Sequence, residues 1–239
     1  MNHDLSSRSP LIQVRDLTKS YHVGPTTVSA LRSISLQIWP GEFVAVVGPS
    51  GSGKSTLLNM LSGVDRMTAG DVLVDGRAVQ RMPEAELARW RGENLGIVFQ
   101  FFQMLPTMTL LNNVMLPMEL ANRYTRAERR TRAAQLLTRV GLEDQIHKLP
   151  GRVSGGQQQR AAIARALAND PPIILGDEPT GNLDSGSAQI VFDLFAELVA
   201  AGKTVVMVTQ DEELAARMPR QIELSEGRVA HDQGAPAYA

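Results

Sequence analysis

Residues 48–55 read GPSGSGKS, set between the apolar run FVAVV (43–47) and the stretch KSTLLNML (54–61). Every fixed position of G-x-x-x-x-G-K-[ST] is filled, and the flanks predict a strand before the loop and a helix opening on it. Glycines there let backbone N–H groups wrap phosphate oxygens, while the helix N-terminus adds positive partial charge. Lys54 is then placed to reach the β and γ phosphates and Ser55 to ligate Mg²⁺. The stretch reads as a nucleotide site, to which Gly48, Ser50, Gly51, Ser52, Gly53 and Thr56 contribute as neighbours of Lys54 and Ser55.

A strand feeding a phosphate loop implies an α/β fold, and the rest of the chain agrees. LIQVRDL, VSALRSISLQI and EFVAVV predict strands within 11–47, with turns at Gly24-Pro25 and Pro40-Gly41. GDVLVDG (70–76) and LGIVF (95–99) predict two more. From about 105 to 168 the pattern is helical; TRAERRTRAAQLLTRVG sets Ala127, Ala134 and Leu137 among arginines and stops at Gly141. Strand and helix then alternate: IILGD, a helix over 185–200, TVVMV, a helix near 212–217, QIELS. Alternation implies a parallel sheet, with the helical block inserted between its early and late strands.

Composition narrows the class. The 239 residues are 43% hydrophobic and 21% charged with a formal net charge of −1, so bulk electrostatics offers nothing to nucleic acid. There is no cysteine, and the four histidines (His3, His22, His147, His231) are not at metal-ligand spacing. No apolar run approaches the ~18 residues of a spanning helix, and MNHDLSSRSPLIQV lacks the pattern of a leader. The expectation is a soluble chain whose membrane role, if any, comes through a partner.

Two further stretches carry chemistry. IILGDEP (173–179) delivers Asp177 and Glu178 to the carboxyl end of a strand. There an aspartate suits the Mg²⁺ shell and a glutamate can orient or deprotonate water. On its own the same stretch also reads as a solvated turn. VSGGQQQRAAIARALA (153–168) places Ser154 as an N-cap before Gly155, Gly156 and Gln157, which makes the helix end an anion site or an ordinary capped helix. Since the phosphate loop already serves the chain's own nucleotide, a second anion-binding helix end suggests a nucleotide held by another copy.

Taken in order, GPSGSGKS, the glutamine of GIVFQ (Gln100), VSGGQ, ILGDEPTGNLD and TVVMVT resemble the nucleotide-binding subunit of ABC transporters, over about residues 11–230. LSGVDRMTAGDV, FQFFQMLPTMTLLNNV and DEPTGNLD are similar to the subgroup of macrolide exporters and lipoprotein-release systems. The resemblance implies a P-loop NTPase core (about 11–99 and 169–230) with an antiparallel β subdomain near the N-terminus. It also implies an inserted helical subdomain (about 100–168), all within a single domain over 1–239. By the same resemblance Tyr21 stacks on adenine, Gln100 contacts Mg²⁺ and relays to a membrane subunit, and Lys54, Glu178 and the residue at 210 serve catalysis. Ser55, Gln100 and Asp177 surround the metal. Ser154, Gly155, Gly156 and Gln157 cap the γ-phosphate of the opposite protomer in a head-to-tail dimer, and Asp184 lies at that interface. ATP and Mg²⁺ are the implied ligands. The implied partners are a second copy or a homologous ATPase subunit and an integral membrane permease-type subunit, docked near Met104–Tyr124, with no nucleic acid. The implied place is the cytoplasmic face of the cell membrane.

Two departures stand out. Val153 replaces the family's usual leucine, a small apolar exchange. Gln210 follows the strand TVVMVT where the family has histidine; an amide can donate to phosphate but has no pKa near neutrality and cannot shuttle a proton. The expectation is retained nucleotide binding with slow hydrolysis, so a nucleotide-gated interaction module is the competing reading. ATPases of DNA repair or translation fit less well, lacking here a long coiled-coil insertion or a second fused half. Kinases and GTPases leave VSGGQ unexplained, and no N-K-x-D guanine reader is present.

Overall fold

The computed structural model describes residues 9–234; His3 and most of the stretch read for a leader lie outside them. Two sheets organise the chain. β1 (Ile12–Val23), β2 (Thr26–Ile38), β4 (Ala69–Val74) and β5 (Arg77–Ala78) form an antiparallel sheet in the order β2-β1-β4-β5. β3 (Phe43–Val47), β6 (Leu95–Phe99), β7 (Ile173–Asp177), β8 (Thr204–Val208), β9 (Arg220–Ser225) and β10 (Arg228–Gln233) form the second, in the order β10-β9-β3-β8-β7-β6. All its pairings are parallel except β9–β10. This is the P-loop NTPase α/β architecture, a mainly parallel sheet beside an antiparallel β layer.

The alternation of side chains along a strand decides how the layers join. In β3, Val44 and Val46 point into a core shared with the antiparallel sheet and with α1 (Lys54–Ser62), where Ile12, Leu31, Leu57 and Leu61 meet them. Phe43 and Ala45 point the other way, toward Phe192 and Phe195 of α6 (Ser185–Ala200). β8 repeats the pattern, Val206 and Val208 on one side, Val205 and Met207 on the other. A strand buried on both faces reads as an unbroken apolar run, which is why FVAVV and TVVMV carry no polar alternation.

α3 (Leu110–Leu120), α4 (Arg126–Arg139) and α5 (Gly155–Ala166) build a third core from Leu110, Val114, Met118, Ala133, Leu137 and Ala161. α4 is defined at both ends. Thr125 and Glu128 form a reciprocal capping box, and Gly141 takes φ +67° just past its end. Ala127, read from the sequence as part of the apolar face, is exposed, whereas Ala133 is fully buried. Six residues rotate a helix by about 600°, so Ala127 falls off the stripe that Ala133, Leu137 and Val140 define. Three elements escaped the sequence reading: the two-residue β5, α2 (Glu84–Asn94), which buries only Leu87 and Trp90, and β10, whose residues are mostly exposed.

A buried ion cluster fastens the far edge of the second sheet. Arg220, 2% exposed, donates to both oxygens of Asp232 at 2.9 and 2.8 Å and to Glu42 at 2.8 Å, joining β9, β10 and the turn before β3.

Candidate nucleotide site

The carboxyl ends of β3, β7 and β8 lie side by side, and the turn after each supplies part of one cleft. Between β3 and α1, Gly48 (φ +140°) passes so close to Leu224 that a Cβ would overlap its carbonyl. Gly53 (φ +104°) leaves a Cβ only 2.6 Å from the carbonyl oxygen of Ala30. The loop therefore needs glycine at both positions for backbone and steric reasons. Lys54 is 6% exposed and folds its ammonium back across the loop, donating to the carbonyls of Gly48 (2.8 Å) and Pro49 (3.0 Å). Ser52 is buried, and its hydroxyl has no partner among the described residues.

The cleft, about 250 Å³, is lined by Ala30, Ser50, Gly51, Gly53, Lys54, Ser55, Thr56, Gln100, Glu178 and Gln210. Ser55 Oγ donates to Asp177 Oδ1 at 2.9 Å, bringing the helix start and the end of β7 together. Glu178 sits at φ +49°, a left-handed conformation unusual for a residue with a side chain. Its N–H donates to the carbonyl of Val208 at 2.9 Å, and its carbonyl accepts from Gly181 N–H at 3.1 Å. Its Oε2 accepts from the backbone N–H of Gln210 at 3.4 Å. Gln100 approaches from the end of β6, its carbonyl accepting from Asn182 at 3.2 Å. The amide of Gln210 lines both this cleft and a neighbouring cavity of about 520 Å³ that reaches Glu212 and Glu223.

Hydroxyl, carboxylate and amide oxygens from Ser55, Asp177 and Gln100 are the hard donors that Mg²⁺ accepts. Among the described residues no group of three or more His, Cys, Asp or Glu could hold a metal by itself.

Tyr21, Ser154–Gln157 and Asp184 stand apart from this cleft. Tyr21 is absent from its lining; its hydroxyl donates to Asp65 at 2.9 Å and the Lys19 ammonium lies 4.6 Å from its ring centre. Burial and the Asp65 carboxylate raise its pKa. Asp65 is lowered in turn: burial opposes its charge, but hydrogen bonds from Lys19 and Tyr21 outweigh that. Ser154–Gln157 do not line the cleft either. Ser154 Oγ accepts from Gln157 N–H at 3.3 Å while Gln157 Oε1 accepts from Ser154 N–H at 2.9 Å, a closed capping box. A Cβ on Gly156 would lie 2.5 Å from Ser187 Oγ, so this helix end abuts the first turn of α6. That turn is capped by Asp184, which accepts from Ser187 N–H at 2.9 Å and has its pKa lowered by that bond. The sequence reading missed Asn182, Gln159 and the close approach of Ala30; no local pattern marks any of them.

The profile of the family described as ABC transporter matches residues 31–181. A macrolide export ATP-binding/permease protein of Hyphomonas neptunium is 46% identical over 94% of this chain, which spans only 35% of that protein's length. An ABC transporter ATP-binding protein of Thermotoga maritima is 47% identical, with 92% of this chain and 93% of that protein aligned. Among solved structures, a dimeric ATP-binding cassette in a post-hydrolysis state bound to ADP and Pi superposes with TM-score 0.88 and 42% identity. That match covers 93% of this chain and 97% of the other.

Proposed function

Because this chain belongs to the ABC transporter family of ATP-binding domains, we propose that it hydrolyses ATP as half of a head-to-tail dimer and so drives an integral membrane permease-type partner. The observation that carries this reading is the division of labour within one chain. Lys54, Ser55, Gln100, Glu178 and Gln210 share a cleft, while the anion-binding helix end at Ser154–Gln157 does not line it. A second copy, or a homologous subunit, supplies the missing cap, and Asp184 sits beside that helix end through Ser187. The dimeric relative bound to ADP and Pi supports the arrangement.

Within the cleft each group has a task. Loop amides and Lys54 take the phosphates, which requires Lys54 to leave the carbonyls of Gly48 and Pro49. Glu178 orients the attacking water and accepts its proton, its carboxylate steered by the Gln210 N–H. Ser55, Asp177 and Gln100 would hold Mg²⁺, which would supply neutralising charge for the phosphates. The Gln210 side chain donates to the γ-phosphate without titrating, so turnover is slow. Tyr21 contributes to the adenine end.

The helical block from α3 to α5 is proposed as a subdomain (about 100–168) within a single domain, the remainder forming the nucleotide-binding core. A groove of about 610 Å³ opens between α2 and α3, lined by Ala85, Ala88 and Gly92 on one side and Leu116, Pro117 and Leu120 on the other. Leu120 is 79% exposed there. This groove is the proposed seat of the permease segment; the sequence placed it within Met104–Tyr124, and the small residues of α2 supply its other wall. No helix among the described residues is long and apolar enough to cross a membrane; attachment to the cytoplasmic face through that partner is part of the proposal. Export or extraction is the favoured direction, supported by the macrolide-export relatives.

The test is steady-state ATP turnover of the chain, its Gln210→His variant and its Glu178→Gln variant. Turnover that rises about tenfold or more with histidine, equal to at least ~1.4 kcal/mol of barrier, identifies Gln210 as a brake. Turnover that survives Glu178→Gln overturns the catalytic assignment. A second reading, a nucleotide-gated interaction module, is favoured by Gln210 alone; it wins if ATP drives dimerisation but neither Gln210 nor His at this position gives turnover.

A further inference from the structure

The loop after β6 lies lengthwise on α5 and is held at both ends. Gln159, fully buried, donates through Nε2 to the carbonyl of Phe99 at 3.3 Å and to that of Pro179 at 2.7 Å. Arg165 donates through one nitrogen to the carbonyl of Gln103 (2.6 Å) and through another to that of Phe102 (2.8 Å). Gln100 lies between these anchors. Phe102 and Gln103 both take left-handed backbone conformations, φ +53° and +48°, which side-chain-bearing residues keep only under external restraint. The Phe102 ring meets the other end of the same helix: a Cβ on Gly155 would lie 3.5 Å from its Cζ.

Arg165 is an unusual choice for this work. Burial lowers its pKa, and among the described residues no carboxylate lies within ion-pair distance of it. Half-buried, that charge is met by carbonyl oxygens alone. What a guanidinium offers in return is a rigid planar fork able to grip two successive carbonyls together, which no amide or ammonium matches.

We propose that Arg165 is a positioning residue for ATP turnover: it locks the loop carrying Gln100 onto α5, so that loop and Ser154–Gln157 move as one body. This rests on the function proposed above. Its consequence is directional. A displacement of Gln100 in the chain's own cleft is delivered, through Arg165 and the Phe102–Gly155 contact, to the helix end that serves the opposite copy's nucleotide.

The experiment compares the full chain with Arg165→Met, Gln100→Ala and the double variant. Arg165→Met is expected to cut turnover at saturating ATP by about tenfold while the ATP KM stays within about threefold. The double variant is expected to fall no more than about twofold below the weaker single one, because both changes break one linkage. Losses that multiply in the double variant overturn the proposal, as does a KM that rises in step with the fall in rate. A second measurement does not depend on activity. Amide hydrogen exchange at residues 100–104 should quicken about tenfold in Arg165→Met, with the exchange of β3, β7 and β8 unaltered. Unchanged exchange at 100–104 overturns the clamp even if the parent chain shows no turnover; absent turnover with quickened exchange instead sinks the ATPase reading alone.

Discussion

Glu178 holds the proposed catalytic carboxylate in a left-handed backbone conformation, and that strain should be measurable as stability. Replacing it with alanine or with glycine removes the same carboxylate and the same 3.4 Å contact from Gln210. The pair therefore differs only in the backbone term. At φ +49° alanine keeps a penalty of ~1–2 kcal/mol that glycine does not bear. Glycine loses ~0.5–1 kcal/mol more conformational entropy on folding. The balance favours Glu178→Gly over Glu178→Ala by ~0.5–1 kcal/mol, the reverse of their order at an ordinary helical or extended site. For a domain of this size each kcal/mol moves Tm by ~2–4 °C, so the glycine variant should melt about 1–4 °C above the alanine one. Both should lose turnover by ~100-fold or more, the scale of a general base. Differential scanning calorimetry without nucleotide, beside steady-state turnover, reads both quantities. A glycine variant that melts at or below the alanine variant refutes the strain, and with it the idea that the fold bears a cost to aim this carboxylate.

Other perturbations probe different parts of the molecule. Arg220→Met strands Glu42 and Asp232 in a largely buried site; a loss of ~3–5 kcal/mol, or about 6–20 °C in Tm, is expected, and adding Glu42→Gln with Asp232→Asn should recover most of it. A drop under about 2 °C would show the cluster to be dispensable. Gly53→Ala drives a Cβ against the Ala30 carbonyl, so the thermal shift that ATP confers on the parent chain should vanish; a retained shift counts against the loop geometry. The folded pKa of Asp65 is lowered, so its contribution is present above the unfolded value near 3.9 and is lost as pH falls through the folded one. Asp65→Asn should flatten the acid limb of urea midpoints below about pH 4 and leave their slope above pH 6 unaltered. An unchanged acid limb would mean that Lys19 and Tyr21 give Asp65 no net help.

The fold was most legible where burial and local chemistry coincide. IILGD, TVVMV and the helix over 185–200 emerge with the bounds that their apolar content and caps suggest, since a two-faced strand or a capped helix writes itself into consecutive residues. The phosphate loop was legible because its glycines, Lys54 and Ser55 sit together in one short stretch between a strand and a helix, although the close approaches of Leu224 and Ala30 that also demand those glycines were not. α2 was not: two buried side chains in eleven give no periodicity, and its small face at Ala85, Ala88 and Gly92 matters only as one wall of a groove. β10 was missed for a similar reason, its partner strand and the Arg220 cluster holding it rather than any apolar pattern. Arg165 was visible as an arginine on a helix, but not that it grips Phe102 and Gln103, over sixty residues earlier. Nor could spacing place β3 between β8 and β9, an order set by crossover connections that local sequence does not encode.

That strand order has a consequence for how the chain comes to exist. Val44 pairs with Val206 on one side and with Arg220 on the other, each more than 160 positions later. β1, β2 and β4 can zip together as soon as they emerge, but β3 has no neighbour until β8 and β9 are made. At ~5–20 residues per second on the ribosome, FVAVV waits ~8–30 s with both edges bare. The phosphate loop hanging from it lacks one of its two close neighbours in that interval: Ala30 precedes it, but Leu224 follows Gly48 by more than 170 positions. A nucleotide site built on this loop therefore waits for β8 and β9, strands that lie far from it in sequence and directly beside it in space.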